Sequence, residues 1–387
     1  MEYRKSAVEN MVNESENPDY VQLGSAMGRV SWQGRKVFLT GHTGFKGGWL
    51  ALWLAKLGAN VRGYALDPST DPNFFTAARV GSVIEDLRGD IRDGGKLEHA
   101  MTEFSPEVVF HLAAQPLVRT SYEDPIGTYE TNVLGTARLL DSIRRTPSVR
   151  AVVSVTTDKC YENKEWVWPY RETDPLGGYD PYSSSKACAE IVTAAYRQSY
   201  FPLERLGKPN GHLVAIATAR AGNVIGGGDW SVDRLIPDLV RGFLLGDPVL
   251  IRRPNAIRPW QHVLEPLHGY ISLAERLLTH NPRFASAYNF GPIEDDAKPV
   301  AWIADRMTRF WGDGASWTLD DSPSPHEAGY LKLDASRARA DLGWTPKLRL
   351  EVALEFLVEW YREWQVAPDM HAFTMRQIDR YESLLEL

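Results

Sequence analysis

Between Lys36 and Gly58 the chain places an apolar triplet, three glycines and a helical stretch in that order, and no other feature narrows the possible folds as far. Val37, Phe38 and Leu39 predict a short buried strand. Gly41, Gly44 and Gly47 follow at a spacing of three. Trp49, Leu50, Leu52, Trp53, Leu54 and Leu57 then recur at helical spacing, and Gly58 marks the stop. Strand, glycine turn and helix together suit a dinucleotide: the glycines let a pyrophosphate approach backbone amides, and the helix N-terminus offers it free N–H groups. Gly41, Thr43, Gly44, Phe45, Lys46 and Gly47 are the candidates for that contact, with the Lys46 ammonium facing the anion. The spacing is not the Gly-x-Gly-x-x-Gly of the usual fingerprint, and an ordinary glycine-rich turn also fits the triplet taken alone.

The next segments repeat the strand–helix theme. Asn60–Ala65 reads as a second strand, and Asp67 follows it where an acid can accept hydrogen bonds from an adenosine ribose. Asp67-Pro68-Ser69 is equally a good turn. No arginine directly follows the strand, which favours NAD over NADP. Val83–Arg88 reads as a third strand, with Asp90 and Ile91 placed to meet an adenine. A helix over 95–104 precedes a fourth strand at Val108–Leu112. Its end, Leu112, Ala113 and Ala114, is small enough for a cofactor to come close, while His111 alone reads as a packed histidine. A long helix over 124–145 and a fifth strand at Ala151–Val155 complete an alternation that predicts a doubly wound parallel α/β sheet.

Tyr182 and Lys186 share one helix face, with Asp180 as cap and Pro181 in the first turn. A nearby ammonium favours the phenolate, giving a base near neutral pH. After a sixth strand at 213–219 the alternation weakens and arginines accumulate: Arg234, Arg252, Arg253 and Arg258, residue types suited to phosphate. Helices are expected over 267–278, 302–311 and 350–364. With 50 acidic and 43 basic residues, a net charge of −7, the chain does not have the balance of a nucleic-acid binder. Two cysteines, Cys160 and Cys188, fit a reducing compartment. No apolar run is long enough for a membrane span, and residues 1–30 read as a polar, mobile extension without signal-peptide character.

Thr40-Gly41-x-x-Gly44-x-x-Gly47, His111-x-Ala-Ala-Gln115, Tyr182-x-x-x-Lys186 and Arg220-Ala-Gly-Asn223 together resemble the extended short-chain dehydrogenase/reductases over about residues 33–365. That resemblance implies a Rossmann-type domain over 31–222, to which a later segment can return, then a smaller α+β nucleotide-sugar domain over 223–365 and a helical tail over 366–387. It implies NAD as cofactor and no metal. Within the family, Thr157-Asp158-Lys159 resembles the 4,6-dehydratases, which carry an acid at the position of Asp158 that epimerases typically lack. The usual next residue there is Glu, and Lys159 departs from it. That variant, with the stretches 41–49, 164–168, 177–182 and 226–230, is similar to the branch acting on CDP-glucose.

The implied chemistry is specific. Thr157 and Tyr182 hold the sugar 4-hydroxyl, and Tyr182 takes its proton as C4 gives up hydride. Asp158 donates to the departing 6-hydroxyl. Lys159 takes the C5 proton, which it can do only when neutral, or it merely pairs with Asp158. Gln115, Asn223, Arg234, Arg258 and His262 are the implied substrate contacts. The helices near 124–145 and from 181 imply a homodimer or homotetramer. A dehydratase or 4-epimerase using another nucleotide sugar, and a non-catalytic dinucleotide sensor, are the competing expectations.

Overall fold

Strands with every residue apolar or small on both faces can lie only in the middle of a covered sheet. β4 (Val108–His111), β5 (Ala151–Val155) and β6 (Ala215–Ala221) are buried at every position. β1 (Lys36–Thr40) and β2 (Asn60–Ala65) are buried after their first residue, whereas β3 (Glu85–Arg88) is largely exposed and closes one edge. The computed structural model describes residues 30–320, 329–367 and 369–386; apart from Val30, the N-terminal extension lies outside the described residues.

With β7 (Val224–Ile225), β8 (Val249–Ile251), β9 (Ile257–Pro259), β10 (Gln261–His262) and β11 (Ala287–Phe290), the strand positions follow the chain. The main sheet has seven parallel strands in the order β11-β6-β5-β4-β1-β2-β3. The order reverses between β1 and β4, and ligands of such sheets bind outside the strand ends at that switch. Val37 and Leu39 pack on one face and Phe38 on the other, as alternation along a strand requires. β11 is the segment that returns to the sheet, pairing Ala287 with Thr218 through Phe290 with Ala221.

Beyond β6 the chain builds a lobe of short pairings. β7 lies parallel to β10, β9 antiparallel to β12 (Ala297–Pro299), and β8 parallel to β13 (Trp317–Leu319). Its helices include Leu235–Leu245 and Val300–Trp311, while Leu264–Leu277 packs back on β5 and β6 of the main sheet. The stretch expected as a tail is the helix His371–Leu385, whose Tyr381 is fully buried. This helix covers the outside of the helix Phe45–Lys56, where Trp53 Nε1 donates to Glu382 Oε1 at 2.7 Å and eight residues from Gly47 to Leu54 are buried.

The long helix expected over 124–145 is three conformations in series. Pro125–Tyr129 is α-helical, Glu130–Leu134 is a π-turn, and Gly135–Arg144 is α-helical again. Such a widened turn commonly sits at a functional site. Here it carries Asn132 inward, where Oδ1 accepts from Gln115 N at 2.8 Å and Nδ2 donates to Gln115 O at 3.0 Å and Ser185 Oγ at 2.9 Å.

Candidate active site

A cavity of about 850 Å3 lies between the sheet's carboxyl edge and the second lobe. It gathers Phe45, Lys46, Thr157, Lys159, Tyr182, Asn223, Arg234 and Arg258 into one lining.

The glycine turn is built by exclusion. Gly41 has φ 79°, and a Cβ there would lie 2.7 Å from Ala113 N; one at Gly47 would lie 2.0 Å from Gly41 O. A Cβ at Gly44 would meet only Gly41 O, at 3.4 Å, so its outer side is open to a ligand. No side chain caps the helix Phe45–Lys56 that starts after it, which leaves first-turn N–H groups for an anion. The residues present therefore fit a dinucleotide pyrophosphate. Lys46 stands beside this turn; burial, and then the Arg234 and Lys186 cations, lower its pKa to about 7. Thr43 Oγ1 donates to Leu66 O at 2.9 Å and ties the turn to the end of β2. His42 packs over Gly63, with Nε2 2.7 Å from Asp86 Oδ1.

Asp67 is exposed at the end of β2. An arginine stands beside it from the neighbouring strand β3: Arg88 lies 3.4 Å from Asp67 Oδ1 and donates to Leu66 O at 3.2 Å. Parallel pairing of β2 with β3 brings it in from 21 residues downstream of Asp67. Asp90 is clamped by Arg92, whose side chain and backbone N–H hold its carboxyl below the usual range. Ile91 is buried beneath Gly135. Leu112 N and Ala113 N both donate to Thr40 Oγ1 at 3.1 Å, and Ala114 follows on the loop leaving β4. His111 is a packed histidine, bridging Thr40 and Thr136, and burial lowers its pKa to about 3.

β5 runs into the turn that carries Thr157, Asp158 and Lys159. Thr157 caps a 3-10 turn at Asp158–Cys160, and Thr157 Oγ1 donates to Asp158 Oδ1 at 3.0 Å. Lys159 Nζ lies 3.5 Å from the same oxygen. Asp158 is fully buried, and its Oδ2 has no hydrogen-bond partner among the described residues. Only glycine fits beside it: a Cβ at Gly222 would lie 2.4 Å from Pro259 Cγ and 3.1 Å from Asp158 Oδ2. Beneath the turn, Glu190 accepts from Thr156 Oγ1 at 2.5 Å, Thr218 Oγ1 at 2.7 Å and Arg220 Nη2 at 2.8 Å.

Tyr182 and Lys186 lie on the helix Pro181–Ser199, which Asp180 caps by accepting from Ser183 N at 2.9 Å. Their electrostatics correct the expectation of a tyrosine activated by the lysine. Burial pushes Tyr182 up to about 12, against the downward pull of Thr157 and Arg234, and burial brings Lys186 down to about 8. Lys186 Nζ donates to Val155 O at 3.2 Å.

Two expected substrate contacts are not brought to the cavity. His262 is fully enclosed between Trp49 and Phe356, its Nδ1 accepts from Leu264 N at 3.3 Å, and burial lowers its pKa to about 3. Gln115 is turned onto Leu117 and Thr128. Asn223 lines the cavity with a buried Oδ1 that has no partner among the described residues. Arg234 is held by Asp229 Oδ2 at 3.0 Å, and Arg258 donates to Ile257 O at 3.0 Å. Arg119, Asp229 and Asp233 also line the cavity. Asp229 lies in the 226–230 stretch, where the resemblance implies no site role for it, whereas Arg119 and Asp233 belong to no short motif, so the sequence carried no signal for them. Asn132 was missed for the same reason.

Comparison with known proteins agrees with this architecture. The profile of the NAD dependent epimerase/dehydratase family matches residues 37–289. A CDP-glucose 4,6-dehydratase from Salmonella typhimurium is 54% identical over 352 residues, covering 91% of this chain and 97% of that one. A dTDP-glucose 4,6-dehydratase from Xanthomonas campestris is 27% identical over 84% of this chain and 92% of its own. Among solved structures, a UDP-glucose 4-epimerase from Thermotoga maritima superposes with TM-score 0.73 at 21% identity, covering 85% of this chain and 99% of that chain.

Proposed function

The chain belongs to the NAD-dependent epimerase/dehydratase family, and from that premise we propose that it converts CDP-D-glucose to CDP-4-keto-6-deoxy-D-glucose and water. The observation that carries the dehydration is Asp158, a fully buried acid beside Tyr182 with one oxygen shared by Thr157 and Lys159 and the other unpartnered. The choice of nucleotide rests on the 54% identical Salmonella relative, matched across 97% of its length.

NAD would be held by the glycine turn at Gly41, Gly44 and Gly47 and the uncapped start of the helix Phe45–Lys56, and would supply a reversible hydride acceptor and a positive ring charge that favours a phenolate. The chain's own residues do the rest. Thr157 and Tyr182 hold the 4-hydroxyl, and Tyr182 takes its proton. Arg234 pulls the Tyr182 pKa down from the value that burial alone would give, so the cation assists that transfer. The 4-ketone acidifies the C5 proton, which Lys159 removes. Asp158 donates its proton to the departing 6-hydroxyl as water leaves. Lys186 fixes the carboxyl end of β5 through Val155 O. Asn223, Arg234 and Arg258 contact the sugar and diphosphate, and the second lobe closes over them.

We place this reaction in the cytoplasm, in deoxysugar formation for lipopolysaccharide O-antigen. The two free cysteines suit a reducing compartment, and no helix among the described residues is long and apolar enough to cross a membrane. A homodimer or homotetramer forms through the helices Pro125–Tyr129 and Pro181–Ser199 and the π-turn between them, which expose Ile126, Leu134 and Ile191.

The deciding experiment incubates purified protein with CDP-, dTDP-, UDP- and GDP-sugars and follows the 4-keto-6-deoxy product. Deuterium placed at C4 of CDP-glucose is expected at C6. Product from another nucleotide alone, or a 4-epimer without loss of water, overturns the assignment.

A further inference from the structure

Two acids in the loop after β7 neutralise cavity arginines, and they do so in different ways. Asp229 is buried, accepts from Ser231 N at 3.1 Å and holds Arg234 at 3.0 Å, a fixed internal contact. Asp233 is about a third exposed and sits at a left-handed φ of 57°. Its Oδ1 lies 2.7 Å from Arg119 Nη1 and 3.8 Å from Arg252 Nη2. Arg119 comes from the helix Val118–Glu123 beyond β4, on the dinucleotide side, whereas Asp233 and Arg252 belong to the second lobe. All three line the cavity that holds Tyr182.

We propose that the Asp233 carboxylate is a built-in stand-in for a substrate phosphate: it occupies Arg119 and Arg252 until a nucleoside diphosphate takes those guanidinium groups from it. This rests on the nucleotide-sugar assignment above. A carboxylate and a phosphate oxygen make the same charge-assisted contact with arginine, but the diphosphate brings more charge and more acceptor oxygens and can bridge both guanidiniums. The Asp233–Arg119 pair is partly exposed, so it is weak enough to be exchanged. Left in place, the carboxylate would face the incoming diphosphate as a like charge. Displaced, it turns to solvent, and on product departure it takes the arginines back. The empty cleft thus keeps its arginines aimed, and the same group competes with bound product.

Asn is the test residue because it is isosteric and tolerates left-handed backbone. In Asp233→Asn holoenzyme, calorimetric binding of CDP is expected to tighten roughly two- to fivefold, the scale of losing a partly exposed ion pair as a competitor, with the change in the dissociation rate. UDP, if bound, should tighten by the same factor, since the effect belongs to the diphosphate. In an Arg119→Ala background the gain should disappear. Bound NAD content and unfolding temperature should match the parent. Weaker or unchanged CDP binding in Asp233→Asn, or a gain that survives Arg119→Ala, overturns the exchange while leaving the nucleotide assignment intact. Failure of the parent to bind any nucleoside diphosphate overturns both.

Discussion

Glu265 offers a pH test worked from the structure. Its carboxyl is fully buried at the start of the helix Leu264–Leu277, where Oε1 accepts from Lys347 N at 2.8 Å and Leu348 N at 2.5 Å, and Oε2 accepts from Tyr381 OH at 2.7 Å. Burial outweighs these donors and raises its pKa from 4.5 to about 7. The folded state therefore binds the proton more tightly than the unfolded chain. Stability from this group is complete below pH 4.5 and is lost as the pH rises through about 7. At about 1.4 kcal/mol per pKa unit the full effect is roughly 3 kcal/mol, of which about 2.5 kcal/mol falls between pH 5 and pH 8. Glu265→Gln removes the titration and can keep the contacts: its Oε1 accepts the two backbone N–H groups, and its Nε2 donates to the tyrosine oxygen. Urea unfolding of parent and variant at half-unit pH steps isolates the group, since all other titrations cancel in the difference. The variant should gain about 2.5 kcal/mol on the parent from pH 5 to pH 8. Parallel stability curves over that range would show that the carboxyl titrates normally and refute the reasoning.

Other consequences are as direct. Glu190→Ala leaves the buried Arg220 guanidinium without its carboxylate, so urea unfolding should register a loss of about 3–5 kcal/mol; a loss under 1 kcal/mol would mean that Arg220 finds another partner. Gly47→Ala puts a methyl 2.0 Å from Gly41 O and should strip NAD from the purified protein, seen as loss of cofactor on release by denaturation. Asp158→Asn should keep oxidation at C4 but slow water loss by about 10²–10⁴-fold, so reduced cofactor accumulates at 340 nm with CDP-glucose; rapid full turnover would free Asp158 of the acid role. Lys159→Ala should abolish exchange of the C5 proton with solvent deuterium, and exchange at the parent rate would assign the base elsewhere.

Features set by neighbours along the chain were legible in the sequence. The glycine turn, the Asp180-Pro181 helix start and the Tyr182–Lys186 pair depend on residues within a few positions of one another, and the structure has them where the spacing places them. The parallel sheet followed from alternation alone. What failed depends on distant partners. His262 sits in a site-like Arg-Pro-Trp-Gln-His run, yet Trp49 and Phe356, far off in sequence, enclose it. The Tyr182 pKa is set by burial, which no pairwise spacing reveals. Arg88 reaches Asp67 through strand pairing. Arg119 and Asp233 are 114 residues apart and meet only across the cavity.

The cover over the cofactor helix comes from far downstream, with Glu382 lying 329 positions after Trp53. Trp53 and Lys56 are tied to Glu382, and Met370 N donates to Ala77 O at 2.7 Å. A nascent polypeptide on the ribosome thus carries its nucleotide turn long before the outer side of that helix has anything to lie against. Firm retention of the dinucleotide is postponed until the helix His371–Leu385 has been made. Shortened products that stop before His371 would retain every glycine of the turn and still release the coenzyme.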